Sequence, residues 1–194
     1  MKIKCIILSV SLCFVFLGCD VMKQVGGAYT MTQCKYTYNS LNQLNLGGVD
    51  LSKGISLAYL PMITSLLTGQ ATSLPLNFNL NLDVENPNPS EALLNGLEYI
   101  LEIDGISFTS GSMSKTLSVP SGGKQVLPLN IGVDLITLIK GESKDAVVSI
   151  VKNFIGMGSQ KSNVTLQIKP TFVISGYPVV SPVYIPVTFT FGGA

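Results

Sequence analysis

The sequence predicts a mainly-β chain, an antiparallel sandwich or barrel with one or two short helices laid against an end. Three observations carry this. Residues Leu74 to Glu85 alternate apolar and polar side chains without an error over the whole run. The same period-2 alternation returns repeatedly downstream, punctuated by Gly and Pro turns. Two stretches shift to the 3.6-residue spacing of a helix, and both are short.

The elements follow in chain order. Lys2 and Lys4 open the chain, an apolar to weakly polar run extends from Cys5 to Leu17, and Gly18 supplies a small residue before Cys19. This is the three-part pattern of a secretory signal peptide over residues 1–18. The run falls short of the roughly 20 apolar residues that a helix needs to cross a bilayer. Residues 20–32 lack apolar periodicity and contain Gly26-Gly27, so they read as a flexible tether. The single folded domain is then expected over residues 33–194. Within it, Lys35 to Leu41 and Leu44 to Leu51 read as short strands, with a kink or turn at Gly47-Gly48,.

Pro61 to Thr68 opens with proline and ends before Gly69, the order expected of a short helix,. In the long alternating run, Leu74, Leu76, Phe78, Leu80, Leu82 and Val84 point one way, while Asn77, Asn79, Asn81 and Asp83 point the other,. The strand stops at Asn86-Pro87-Asn88-Pro89, since proline has no N–H for a ladder. Leu97, Tyr99, Leu101 and Ile103 form the next strand, and Asp104-Gly105 turns it tightly into Ile106 and Phe108,. Strands at Thr116 to Val119 and Val126 to Val133 flank the turn Pro120-Ser121-Gly122-Gly123. A turn of helix is expected from Asp134 to Lys140. After it, Ser143 opens a second helix with Val147, Ile150, Val151 and Phe154 on one face and Gly156 as its stop. These make a helical insertion over about 134–156. Val164, Leu166, Ile168, Phe172 and Ile174 share one strand face, and Val183, Ile185, Val187, Phe189 and Phe191 another. Pro178, Pro182 and Pro186 place that last strand at an edge or give it an irregular start. The total is about eight strands.

Two resemblances rest on particular residues. Phe16-Leu17-Gly18-Cys19 resembles the lipobox of bacterial lipoproteins. It implies cleavage before Cys19, acylation of its thiol, and export to the cell envelope with the bilayer as a partner. The alternative is a plain signal peptide that happens to contain Cys19. Val84-Glu85-Asn86-Pro87-Asn88-Pro89 is similar to the late-embryogenesis-abundant group 2 proteins, whose shared unit is the WHy (water stress and hypersensitive response) domain. The likeness continues in order through Tyr99, Asp104-Gly105, Gly111, Val119-Pro120 and Leu127-Pro128-Leu129, and more loosely to Phe191. It implies an immunoglobulin/fibronectin III-like β-sandwich over about 74–191 and a role in water-stress protection through membranes or partner proteins. The motif Asn86, Pro87, Asn88, Pro89 reads as structural: it ends one strand and turns the chain toward the opposite sheet.

Composition narrows the function. The 12 basic residues are all lysines, and removing Lys2 and Lys4 with the signal leaves ten against 11 carboxylates, a net charge of about −1. No basic stripe exists to release counterions, so nucleic acid is not an expected partner. The chain has no histidine and no arginine, which excludes the commonest acid–base triads,. Of four cysteines, Cys5 and Cys13 lie in the signal and Cys19 would be a thioether. Cys34 remains, expected as a small buried hydrophobe. Gly122-Gly123-Lys124 is no P-loop, because Ser118 stands where the leading glycine belongs and Gln125 where Ser or Thr does,. Asp83 and Glu85 lie about 7 Å apart by strand rise. With Asn86 and Asn88 they offer oxygen ligands for calcium, against the simpler reading of a charged strand exit. No cofactor is expected. A non-catalytic envelope lipoprotein that works by association with membrane or envelope proteins is the first reading. A carbohydrate-binding or adhesive module is the second, and exposed aromatics would favour it.

Overall fold

The computed structural model describes residues 20–51, 61, 64–65, 68 and 71–193. The signal peptide and Cys19 lie outside the described residues, as does most of the expected Pro61–Thr68 helix, whose described positions 61, 64, 65 and 68 are helical. Nine strands among the described residues form two antiparallel sheets. The first holds β1 (Lys35–Leu46), β2 (Val49–Asp50), β3 (Pro75–Glu85) and β6 (Lys124–Asp134), in the order β2-β1-β3-β6. The second holds β4 (Ala92–Ile103), β5 (Ile106–Val119), β7 (Ser162–Ile174), β8 (Tyr177–Val180) and β9 (Ile185–Phe191), in the order β5-β4-β7-β8, with β9 also paired to β7. Besides those helical positions, three helices among the described residues accompany the sheets: α1 over residues 20–32, α2 (Leu135–Gly141) and α3 (Lys144–Phe154).

The expected alternation of β3 holds at every position. Leu74, Leu76, Phe78, Leu80, Leu82 and Val84 are all buried, and their neighbours face outward. The reason is central placement: β3 pairs with β1 on one side and with β6 on the other, register Leu80↔Leu41 and Leu80↔Leu129. Across the core, Leu97, Tyr99, Leu101 and Ile103 of β4 and Val164, Leu166 and Ile168 of β7 close the second layer. Asp104 and Gly105 sit at φ 52° and 81°, the left-handed pair that a two-residue hairpin turn requires,. One end of the sandwich is plugged by α3. Val147, Ile150 and Val151 are buried, and the Phe154 ring lies 4.9 Å from Phe78 and 4.5 Å from Phe191. Tyr38 of β1 stacks on Phe189 of β9 at 4.2 Å, joining the two sheets along one side.

Four expectations need correction. Residues 20–32 are not a flexible tether: they form α1, which packs Ala28 and Met31 into the core. Gly27 is small because Leu93 lies against it; a Cβ there would stand 2.9 Å from Leu93 Cγ. Gly27 marks a close approach, and its lack of a side chain hid the buried face. Lys35 to Leu46 form one strand where two were expected, with irregular register at Tyr38/Ser40 and Asn42/Asn45 and Gln43 at φ 53°; the turn at Gly47-Gly48 lies where it was expected. β5 begins at Ile106 and runs unbroken to Val119, through a Ser- and Thr-rich stretch with no apolar alternation to reveal it. Ser143 stands at the N-cap of α3, but its side chain makes no capping bond. The capping carboxylate belongs to α2, where Asp134 Oδ1 accepts from the backbone N–H of Ile136 at 2.9 Å and Thr137 at 3.2 Å.

Three prolines lie in outer strands, while Pro170 lies in β7, opposite Leu97 of β4. Pro128 lies in β6, the outer strand of the first sheet, opposite Asn81. Pro178 of β8 lies opposite Val173, and Pro186 of β9 opposite Gln167, both on the far side of β7 from β4. The expected edge position of the closing segment is therefore where the structure puts it.

Candidate functional site

The Asn-Pro-Asn-Pro segment carries the chain from β3 in one sheet to β4 in the other, and Asn86 is its anchor. This side chain is fully buried. Its Nδ2 donates to the carbonyls of Ser90 at 2.8 Å, Val119 at 3.0 Å and Pro120 at 3.2 Å. Its Oδ1 accepts from the backbone N–H and the Nδ2 of Asn88, each at 3.1 Å. The N–H···Oδ1 contact two residues on is an Asx turn, which lets Pro87 adopt its fixed φ without leaving an orphan acceptor. The Asn86 N–H donates to Gly123, and Ser121 Oγ donates to the Asn88 carbonyl, both at 2.9 Å. One amide thereby ties the β3–β4 crossover to the β5–β6 turn. Pro87 and Pro89 are exposed and cover this knot from outside.

The acidic candidates do not gather into an ion site. Asp83 gives one carboxylate oxygen to Asn39 Nδ2 and the other to Lys124 Nζ, both at 2.8 Å. The Lys124 hydrogen bond, with that of Asn39, holds its carboxyl below the usual carboxylate range. Glu85 is exposed at the strand exit, in register with Lys35 and Lys124 on its two neighbours. The oxygens of Asp83 and Asn86 are already committed to the protein's own donors, so the calcium set suggested by the sequence is not assembled. Among the described residues, no cluster of three or more His, Cys, Asp or Glu side chains has metal-binding spacing.

Cys34 is buried at the end of α1, where its Sγ donates to the Thr30 carbonyl at 3.4 Å. Burial pushes its thiol up to about 11, so at neutral pH it is not a nucleophile,. Tyr99, which lies over Gly111 of β5, is also raised by burial. A Cβ on Gly111 would meet the Tyr99 hydroxyl oxygen at 2.7 Å, which explains the spacing of these two residues. A depression beside α3, lined by Ser149, Lys152, Asn153 and Gln160, contains no carboxylate or thiol. Residues that the sequence did not single out define the outer surface near the start of α1. Val21, Met22, Val25 and Tyr29 are exposed on this helix, and every residue of β8 is exposed.

The family model described as "Late embryogenesis abundant protein" matches residues 81–187, from the second half of β3 to β9. No curated protein matches the chain. Among solved structures it is similar to a protein from Archaeoglobus fulgidus, at 14% identity and TM-score 0.40, covering 81% of this chain and 98% of that one. It is similar also to a protein assigned to the late embryogenesis abundant group, at 15% identity and TM-score 0.40, covering 95% and 88%. A protein of Arabidopsis thaliana aligns at 13% identity and TM-score 0.37, covering 61% and 72%. The matched segment spans more than half of the sequence and contains the Asn86 knot, the Asp104-Gly105 turn and the Tyr99–Gly111 pair. On that ground the chain belongs to the late embryogenesis abundant protein family.

Proposed function

We propose that this protein is a lipid-anchored, non-catalytic member of its family that protects the cell envelope under stress by associating with membrane or envelope proteins. The observation that carries this reading is the order of the chain. A signal-like segment ends in Gly18-Cys19, α1 follows directly, and the family segment lies downstream at residues 81–187. Family membership supports a stress-related role. The chemistry of the described surface supports a non-catalytic one: its buried thiol is held protonated, and its best-placed carboxylates serve an ion pair and a helix cap. The acyl chains would raise the effective concentration of the domain at the bilayer, so weak contacts suffice there.

The test is a crosslinking pull-down from whole cells, comparing the native protein with Cys19→Ala, together with mass spectrometry of the mature N-terminus. Diacylglycerol on Cys19, and envelope proteins recovered only with the anchored form, are the expected results. A free thiol on Cys19 would sink the anchor. The carbohydrate-binding alternative draws on the exposure of Tyr29, Tyr177 and Tyr184. Tyr184, however, has Lys169 Nζ 5.1 Å above its ring, which occupies that face,. Micromolar binding of the unlipidated domain on a glycan array would promote this alternative.

A further inference from the structure

Asp20, the residue that follows Cys19, is already helical and belongs to α1. Along α1, Val21, Met22, Val25 and Tyr29 fall within one arc of about 100° at 3.6 residues per turn. All four are exposed, Met22 by 76% and Tyr29 by 69%. Ala28 and Met31, on the adjoining arc, are the residues that pack inward. The helix therefore has one broad apolar arc, and only part of it is used by the fold.

The second observation lies in the β7–β8 hairpin. Gln24 Oε1 accepts from the Ser175 backbone N–H at 2.7 Å, fastening the first turns of α1 to the hairpin turn. Ser175 and Gly176, at φ 52° and 82°, make that turn. Beyond it β8 reads Tyr177-Pro178-Val179-Val180 and is exposed on both of its faces, Tyr177 by 74%. Val173 on the facing strand is exposed as well. A two-stranded flap with aliphatic and tyrosyl side chains on both faces, and no charged residue from Phe172 to Ala194, is poorly matched to water,. Apolar side chains with tyrosine at the margin suit the headgroup boundary of a bilayer.

We propose that the exposed stripe of α1 and the β7–β8 hairpin together form a membrane-contact surface. It lays the sandwich against the lipid in one orientation, with the α3 end turned away. This rests on the lipid-anchor reading, since Cys19 is what brings this end of the molecule to the bilayer. The anchor point next to α1 chooses lipid over a second copy of the chain, and the hydrogen bond between Gln24 and Ser175 keeps helix and hairpin together as one surface.

The protein has no tryptophan, so a single introduced indole reports its own surroundings. Met22→Trp, Tyr177→Trp and Met157→Trp are each prepared in the full lipidated protein. Each is reconstituted into vesicles of phosphatidylethanolamine and phosphatidylglycerol, with and without acyl-brominated phosphatidylcholine. Met157 is exposed just before β7, whose 13 residues span about 40 Å between that end and the hairpin turn,. Contact predicts roughly twofold quenching by brominated lipid at positions 22 and 177, and none at 157. Equal quenching at all three sites, or none at 22 and 177 in protein that mass spectrometry shows to be acylated, overturns the inference and leaves the anchor standing. An unmodified Cys19 removes both. A blue shift at position 177 without lipid, tracking dimer formation in sedimentation, assigns the surface to a second copy and also overturns it.

Discussion

Asn86→Ala removes the amide that joins both turns at one end of the sandwich. Nδ2 has two hydrogens shared among three carbonyls, and Oδ1 takes two donors from Asn88, so about four hydrogen bonds are lost. At about 1 kcal/mol net for each, the sum is near 4 kcal/mol, and the buried carbonyls that lose a donor add to it. Partial entry of water at the exposed side of the turn offsets some of this, which places the expected loss at about 3–5 kcal/mol. Asn86→Asp is the sharper variant because it keeps the shape. A carboxylate there faces three carbonyl oxygens, so folding favours its protonated form and raises its pKa above the unfolded value of about 3.9. Relative to wild type, the Asp variant is least impaired below that value and falls further behind as pH rises through the folded one. Urea melts of the three proteins at about pH 3.5 and 7 measure this directly. A loss under about 1 kcal/mol for Asn86→Ala, or a pH-independent penalty for Asn86→Asp, would refute the knot.

Three other outcomes follow from the geometry. Phe78→Ala, which removes a buried ring packed on Phe154, should cost about 3–5 kcal/mol, whereas Asn79→Ala on the outer face of the same strand should cost about 0.5 kcal/mol or less; equal costs in denaturant melts would contradict the one-sided burial of β3. Asp134→Ala should cost about 1 kcal/mol as a lost cap. The carboxyl of Asp134 is held below its ordinary value of 3.8, by the Ser73 hydroxyl first and then by the backbone N–H groups of Thr137, Leu74 and Ile136. Its stabilising effect is therefore present above that value and fades as pH falls through the lower folded one, so the acid limb of the variant should be flatter; identical limbs would contradict this. Cys34 should resist a thiol reagent at pH 8 in the native protein and react fully in denaturant, read by mass; rapid native labelling would mean that this end of α1 opens.

What could be read in the sequence was whatever imposed a period or a prohibition. β3 announces itself because both of its neighbours are strands and its outer face is solvated, so burial alternates strictly. The Asp104-Gly105 turn shows because few residues adopt left-handed backbone. The Asn-Pro-Asn-Pro segment is visible as a strand end, but nothing local says that Asn86 points inward, since its partners Val119, Pro120 and Gly123 lie more than thirty residues away. β5 was obscured over Ser107 to Lys115 because one of its sides has no pairing strand and polar residues satisfy it. α1 was misread for the opposite reason: a glycine chosen for contact with Leu93 looks the same, in one dimension, as one chosen for freedom.

The prolines of the outer strands have a consequence for life at high concentration. With only 12% of its residues charged, the chain has little electrostatic repulsion to keep copies apart,. An open strand border is a template on which another molecule can add a strand, and growth by that route needs an unbroken row of N–H donors. Pro128, Pro178 and Pro186 each strike one donor from such a row, and Pro128 does so near the middle of its strand. β5, which has no proline, presents serine, threonine and a lysine in the corresponding stretch, side chains that do not form a dry zipper,. The prolines are thus a colloidal device: they make a sparsely charged sandwich a poor template for strand addition by another copy,.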